Sequence, residues 1–486
     1  MVPALAGAQE IDTLAIRAHT RFLADDLLAG RGTGTAGERL AADYIQAQLK
    51  RIGLRPAGPD SSYLLPVPLR SVSIEPETSV TLTATAGSVT FVTGRHFIVN
   101  TGGRGAIADF AGRAVFLGQP THAAGLLDGR TPVRDRVAVF LGPLGADALA
   151  VIPALIRLGA TGVILLVPDS AQFDLYVRGR GDRRFFVDAD VNDPVWQPSL
   201  PVIIAGPPMT EALLAHATLP PSLIEGTADA GVELDLEVRV AIDARVDTVH
   251  SANVAGYIEG TDPSLRHQFV VFTAHYDHLG VSVPDAAGDS IYNGFSDNAA
   301  GVAMLLAIAA GMADQPAARP VAFLFFTGEE RGLLGSTHAA AAPPPWLQLD
   351  SLAALINLDA GAPPAPPVSW RIAGGVGSAF GELAREVAAA EGWEATLSPA
   401  SPNSDYWPFL QRGVPSIFII PGDSWEDTSA AERDALRRRW DRYHRADDHW
   451  HPDFPFSGLA RYADIARLIG RRVADRPAAA ADLRLP

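Results

Sequence analysis

In the second half of the chain, acids and imidazoles recur just beyond short apolar runs. His275, Asp277 and His278 follow Phe269-Val270-Val271-Phe272. Glu329 and Glu330 end VAFLFFTGEE, Asp359 ends the run ALINLD, and Asp297 opens an Ala-rich helical pattern. Near the C-terminus stands Tyr443-His444-Arg445-Ala446-Asp447-Asp448. Taken singly, each has a plain structural reading. A strand-end histidine is a hydrogen-bonded surface residue, Ser296-Asp297 caps a helix, and Glu329-Glu330 is a solvated turn. Adjacent carboxylates after a run as apolar as Phe323–Phe326, however, repel each other unless a cation neutralises them. Oxygen and nitrogen donors without sulfur suit zinc, manganese or cobalt.

The elements that must position these groups read as an α/β pattern from His250 onward. Continuous apolar runs predict strands at Val254–Ile258, Phe269–Ala274, Val321–Thr327, Ala354–Leu358 and Ser416–Ile420. Helical spacing predicts Asn298–Met312, Gly377–Glu391, Tyr406–Arg412 and Phe456–Ala474. Alternation of this kind predicts a mixed, largely parallel sheet flanked by helices, and ligands of such sheets bind at the carboxyl ends of the strands. All the candidate donors fall on that edge.

Upstream, residues 11–67 read as an N-terminal helical part, with two helices over Ile11–Leu54 joined by Gly32-Thr33-Gly34-Thr35-Ala36-Gly37. That turn formally matches G-x-G-x-x-G, but no strand precedes it, so it reads as a helix link and not as a dinucleotide site. Residues 68–249 have a different texture: short β-like runs at Val80–Leu82, Val89–Val92, Ala114–Leu117, Val137–Leu141, Val163–Val167, Val202–Ile204 and Val232–Val238. One helix is predicted over Ala146–Leu158, with Gly159 as its C-cap. Arg178, Arg180, Arg183 and Arg184, with Asp182 among them, read as a solvated loop. This stretch is expected to be an inserted, mostly β domain, and 250–475 the catalytic domain.

Composition excludes several chemistries. The 486 residues contain no cysteine, which removes thiol nucleophiles, disulfides and Cys-ligated zinc. Lys50 is the only lysine, so Schiff-base and P-loop chemistry are not expected. Neither a G-x-S-x-G elbow nor an H-E-x-x-H helix occurs. A net charge of -16 disfavours nucleic acid as a partner, and no long uninterrupted apolar stretch predicts a membrane span. The opening MVPALAGAQE lacks an intact signal peptide, but ALAGAQ is similar to the end of one.

Together HYDHLG, SDNAAG, TGEERGLLGS, NLDA and YHRADD, in this order, resemble the motif set of the di-zinc aminopeptidases of peptidase family M28. LLAGRGTGTAGERLAADYI is similar to that family's opening, and the inserted stretch resembles a protease-associated (PA) domain. The resemblance implies two divalent metal ions, zinc by family. His275 and Asp359 would hold one, Glu330 and His444 the other, and Asp297 would bridge them. A metal-bridging water would attack the peptide, with Glu329 as general base. Asp277 would orient His275, and Asp448 would do the same for His444. A cis peptide between Asp297 and Asn298 is also implied. The chain departs from the family pattern at Tyr406, where histidine is common. A packed aromatic is the simpler reading of Tyr406, and donation to an oxyanion the sharper one. His278, His338 and His449 read as structural residues or as support for the ligands.

The function implied is release of N-terminal residues from peptides with a free amine, by an exported (periplasmic or secreted) enzyme, with a cytoplasmic one as the alternative. A carboxypeptidase or dipeptidase on the same scaffold would need a basic residue for the substrate carboxylate, for which Arg331 and Arg412 are candidates. A glutaminyl cyclase or a non-catalytic receptor-like domain fits less well, because the metal-ligand set and the base are all present.

Overall fold

The computed structural model describes residues 11–100, 108–122, 131–142, 151–180, 183–187, 200–215, 222, 231–282, 284–477 and 483; the leader-like opening at 1–10 lies outside them. The chain divides into two compact units, Met1–Pro68 with Val249–Pro486, and Leu69–Thr248.

In the first unit the apolar runs form a twisted sheet in the order Glu394–Ser398, Ser369–Ala373, Ser416–Pro421, Ala354–Asn357, Val270–His275, Val321–Phe326, Ala244–Ile258. Val270–His275 runs parallel to both Val321–Phe326 and Ala354–Asn357, and the latter runs parallel to Ser416–Pro421. Ala244–Ile258 and Ser369–Ala373 enter antiparallel to their neighbours in this order, Val321–Phe326 and Ser416–Pro421. Strands buried on both faces need no alternation, which is why VVFTAH and VAFLFF are buried at every position.

Helices Thr13–Leu23, Ala36–Ile52, Ala300–Ala313 and Ser457–Ala474 contribute to the main core. Among the described residues one helical segment, Phe295–Ala313, is long and apolar enough to cross a membrane. It is instead a core helix, apolar all round because it is buried all round. Asp12 caps the first helix, accepting from Leu14 and Ala15 N–H at 2.9 and 3.1 Å, and Thr35 caps the second. The glycine-rich segment between them is indeed a turn that follows a helical segment, not a strand.

The second unit holds an eight-stranded sheet in the order Gly87–Val92, Ser79–Ala84, Val232–Ala241, Phe110–Phe116, Arg136–Leu141, Gly162–Leu166, Val202–Ala205, Phe97–Asn100. Its inner faces form a separate core around Val137–Phe140 and Val163–Val167. Of the helix expected over 146–158, Ile152–Leu158 is present and ends at Gly159 in the left-handed region, φ 82°; its first residues lie outside the described set. The basic run is not one loop: Arg178 and Arg180 belong to helix Ser170–Arg180, and Arg183 and Arg184 to strand Arg183–Val187. Their side chains, and Asp182, lie outside the described residues.

Candidate metal centre

Parallel register brings distant residues to one edge. His275 is the last residue of its strand and pairs with Phe326 of the neighbour, so Thr327–Glu330 leaves the sheet beside it. On the other side Thr273 pairs with Asn357, so Leu358 and Asp359 emerge at the same level. Asp297 arrives from a single wide turn, Phe295–Ala299, ahead of the core helix. The Asp297–Asn298 peptide is cis. Asn298 ties this turn down: its Nδ2 donates to Leu358 O at 3.0 Å and its Oδ1 accepts from Gly301 N–H at 2.9 Å. A Cβ at Gly301 would stand 2.2 Å from that Oδ1, so the close approach requires glycine.

The side chains converge around Asp297. His275 Nε2 lies 2.8 Å from Asp359 Oδ1 and 3.1 Å from Asp297 Oδ1. His444 Nε2 lies 2.9 Å from Asp297 Oδ2 and 3.2 Å from Glu330 Oε2. One carboxylate thus turns its two oxygens toward two separate groups of donors. His278 joins the second group, its Nδ1 2.6 Å from Glu330 Oε1 and 3.8 Å from Asp297 Oδ2. Potential ligand atoms of His275, Asp297 and Asp359, and again of His278, Asp297 and Glu330, lie within 4.8 Å of one another. This oxygen and nitrogen donor set fits a hard or borderline divalent cation such as zinc. His278 Nε2 is buried without a partner.

A supporting network fixes these groups. Asp277 Oδ2 accepts from the Thr33 hydroxyl at 2.8 Å and its Oδ1 from Glu329 N–H at 3.1 Å. His275 Nδ1 faces the backbone oxygen of Asp277 at 3.1 Å, closer than the Asp277 carboxylate at 3.8 Å. The Asp277 carboxylate is therefore spent on the turn and on the backbone of Glu329 rather than on the imidazole. The Ser404 hydroxyl donates to Asp359 Oδ2 and accepts from Asn357 Nδ2 at 2.7 Å. Asp448 was expected on His444. Its Oδ2 instead accepts from Ser296 N–H at 2.9 Å and Ser296 Oγ at 2.8 Å, which anchors the turn that carries Asp297.

The glycine-rich turn contributes more than a helix link. Glu38, buried in the second helix, accepts from Gly34 N–H at 2.6 Å, from Ser251 Oγ at 2.9 Å and from the Thr327 hydroxyl. Arg31 donates to Tyr276 O at 2.8 Å, Asn293 O at 2.6 Å and Gly294 O at 3.0 Å, which joins the turn to both loops of the centre.

Burial pushes Glu329 and Asp359 up, and neighbouring carboxylates add to it. Burial also opposes ionisation of Asp297, but hydrogen bonds with His275 and His444 outweigh it and hold Asp297 well below the usual range. Burial alone lowers His444; its bonds with Asp297 and Glu330 reverse this and hold it at about 10. The cluster demands positive charge, which is the condition that bound cations satisfy.

The remaining residues sort clearly. Tyr406 is fully buried, and its hydroxyl is engaged with Ser401, accepting from N–H at 2.7 Å and donating to O at 2.9 Å; the packed reading holds and the oxyanion reading does not. His449 bonds Asn293 and Asp289 rather than the centre, and His338 lies on helix Leu334–Ala341 with its Nδ1 unpartnered. Sequence reasoning gave His278 only a structural or supporting role and did not single out Thr33, Glu38 or Ser404. The one available signal for His278 was its position three residues after His275.

A cavity of about 470 Å³ opens onto His275, Asp297, Glu329 and Asp359. Its walls include Phe418, Ile420, Trp425, Trp440 and Tyr443. The Tyr443 ring stacks on His444 with centroids 3.8 Å apart. Neither Arg331 nor Arg412 lines it.

Similar folds are known. An aminopeptidase from Aneurinibacillus sp. strain AM-1 superposes with a TM-score of 0.60 at 18% identity, covering 96% of this chain and 95% of its own. BSAP, a zinc aminopeptidase from Bacillus subtilis, gives 0.52 at 18% identity over 97% and 98%. A peptidase M28 precursor from Shewanella amazonensis SB2B gives 0.50 at 15% identity over 98% of each chain. No curated protein matches the sequence. The model of Peptidase family M28 matches residues 253–468, the span that supplies His275, Asp297, Glu329, Glu330, Asp359 and His444.

Proposed function

We propose that this protein is a metal-dependent aminopeptidase working with two divalent ions. The observation that carries the reading is Asp297, whose Oδ1 faces His275 and whose Oδ2 faces His444. His275 and Asp359 would hold one ion, Glu330 and His444 the other, with His278 beside the second. When bound, such ions lower the pKa of water and polarise the scissile carbonyl. Glu329 borders the cavity one residue before a ligand. It takes a proton from the attacking water and returns it to the leaving amine. Asp277 positions that base by accepting its backbone N–H. The excess of carboxylates favours a substrate with a free, positively charged α-amine. Support for peptide hydrolysis comes from the family match and from aminopeptidases among the similar folds.

Glu329→Gln should keep its metal content, about two ions per chain by elemental analysis, and lose turnover. Aminoacyl anilides with a free amine should be cleaved and their N-acetylated counterparts should not. Substantial activity in Glu329→Gln, or equal cleavage of blocked substrates, would overturn the reading.

A further inference from the structure

We propose that Arg371 anchors a substrate carboxylate in the cavity onto which the metal centre opens. The inference rests on the aminopeptidase reading and names what its substrates carry. Strand Ser369–Ala373 lies antiparallel to Ser416–Pro421, with Arg371 opposite Ile420 and Ala373 opposite Phe418. Cross-strand partners share a face of the sheet, so Arg371 sits on the face that presents Phe418 and Ile420 to the cavity. It is also near the carboxyl end of Ser416–Pro421, the same sheet edge that delivers the metal-binding residues.

Among the described residues two arginines line the cavity, Arg371 and Arg437. Arg437 is committed: its Nη2 is 2.6 Å from Asp423 Oδ1 and its guanidinium lies over the Trp425 ring at 5.2 Å. Arg371 is exposed, and among the described residues its side chain makes no hydrogen bond or ion pair. Its neighbours on the facing strands, Ile420 and Thr396, are uncharged. Asp423 and Asp441 also line the cavity; Asp423 is taken by Arg437, and Asp441 Oδ1 accepts from Tyr443 N–H at 3.4 Å. A guanidinium with five donors and no partner, beside apolar walls, is suited to a carboxylate. That carboxylate comes either from the C-terminus of a short peptide or from an acidic side chain on its N-terminal residue.

The experiment compares wild type, Arg371→Gln and Arg371→Lys, all metal-loaded, on two substrate pairs. Leucyl-glycine against leucyl-glycinamide isolates the C-terminal carboxylate. Glutamyl against glutaminyl 4-nitroanilide isolates the side-chain carboxylate. In one pair wild type should prefer the acid by about tenfold in kcat/KM, mainly through KM, the size of one accessible charged contact. Arg371→Gln should erase that preference and Arg371→Lys should keep part of it; the pair affected identifies the source. A preference absent from both pairs, or surviving in Arg371→Gln, overturns the proposal. Calorimetric binding of leucyl-glycine with a reduced, uncleavable bond, and of its amide, reads the same preference without turnover. Failure of hydrolysis therefore counts against the aminopeptidase reading alone, whereas equal binding of acid and amide, with no glutamyl preference, counts against Arg371.

Discussion

Thr33→Val tests whether the N-terminal turn is part of the working site. The hydroxyl of Thr33 is buried and donates to Asp277 Oδ2 at 2.8 Å, across 244 residues of sequence. Valine keeps the shape and removes the donor. A hydrogen bond to a charged acceptor is worth about 1.5–3 kcal/mol, a factor of roughly 10 to 100 in whichever equilibrium uses it. Asp277 uses its other oxygen to hold Glu329 N–H at 3.1 Å. Loss of Thr33 frees the carboxylate to rotate, so the base loses its fixed backbone, and a misplacement of about 1 Å costs on the order of 100-fold. The expected result is a fall in kcat of about ten- to a hundredfold, KM little changed, and a melting temperature lower by a few degrees. Thr33→Ser keeps the hydroxyl and should restore most of kcat. The assay is steady-state cleavage of a leucyl anilide, with thermal melts of each variant. A kcat for Thr33→Val within about twofold of wild type would refute the link between turn and base, whatever happened to stability.

Other tests address the centre and its surroundings. His278→Ala removes the contact with Glu330 Oε1 at 2.6 Å and should weaken metal retention about 10- to 100-fold in competition with a chelator; unchanged retention would show that His278 only packs. Chelation of the wild type should abolish cleavage and lower the melting temperature, with zinc restoring both, because ion binding stabilises the folded state alone. Glu38 is pushed up to about 8, first by burial and then by Asp277. The folded chain then holds this proton more tightly than the unfolded one, so its contribution to stability is full below about 4.5 and is lost as pH rises toward 8. Glu38→Gln should flatten the fall in stability over that window, measured by denaturant titration at each pH.

The sequence was most legible where burial on both faces leaves a continuous apolar run. VVFTAH, VAFLFF and ALIN could be read as strands of one parallel sheet, and their ends therefore as one edge. The strands Ser369–Ala373 and Glu394–Ser398 were not read, because SWRIA mixes buried and exposed positions in too short a span for a period and EATLS has no buried position at all. Helix Ala430–Trp440 was missed for a related reason: none of its residues is buried, so it has no apolar stripe to betray it. The cost of missing Ser369–Ala373 was specific, since it carries Arg371, while Arg331 and Arg412, chosen by proximity to motifs, lie off the cavity.

The same contrast explains the supporting network. Residue type and order are enough to nominate donors, because few positions at a strand end can host a buried acid unless something neutralises it. They are not enough to assign what holds each donor. Asp448 was a reasonable partner for His444 by distance along the chain, yet loop geometry gives it to Ser296 instead. Asp277 was assigned to an imidazole two residues away, yet its carboxylate serves a threonine from the glycine-rich turn and the backbone of the base. Each of these pairings spans loops whose path no periodicity encodes. A buried carboxylate that must be satisfied takes the nearest donor in space, and in this fold the nearest donors come from the turn at 31–38 and the one at 295–299. The glycine-rich segment that looked like a connector is for this reason the part of the chain whose role depends most on the tertiary structure.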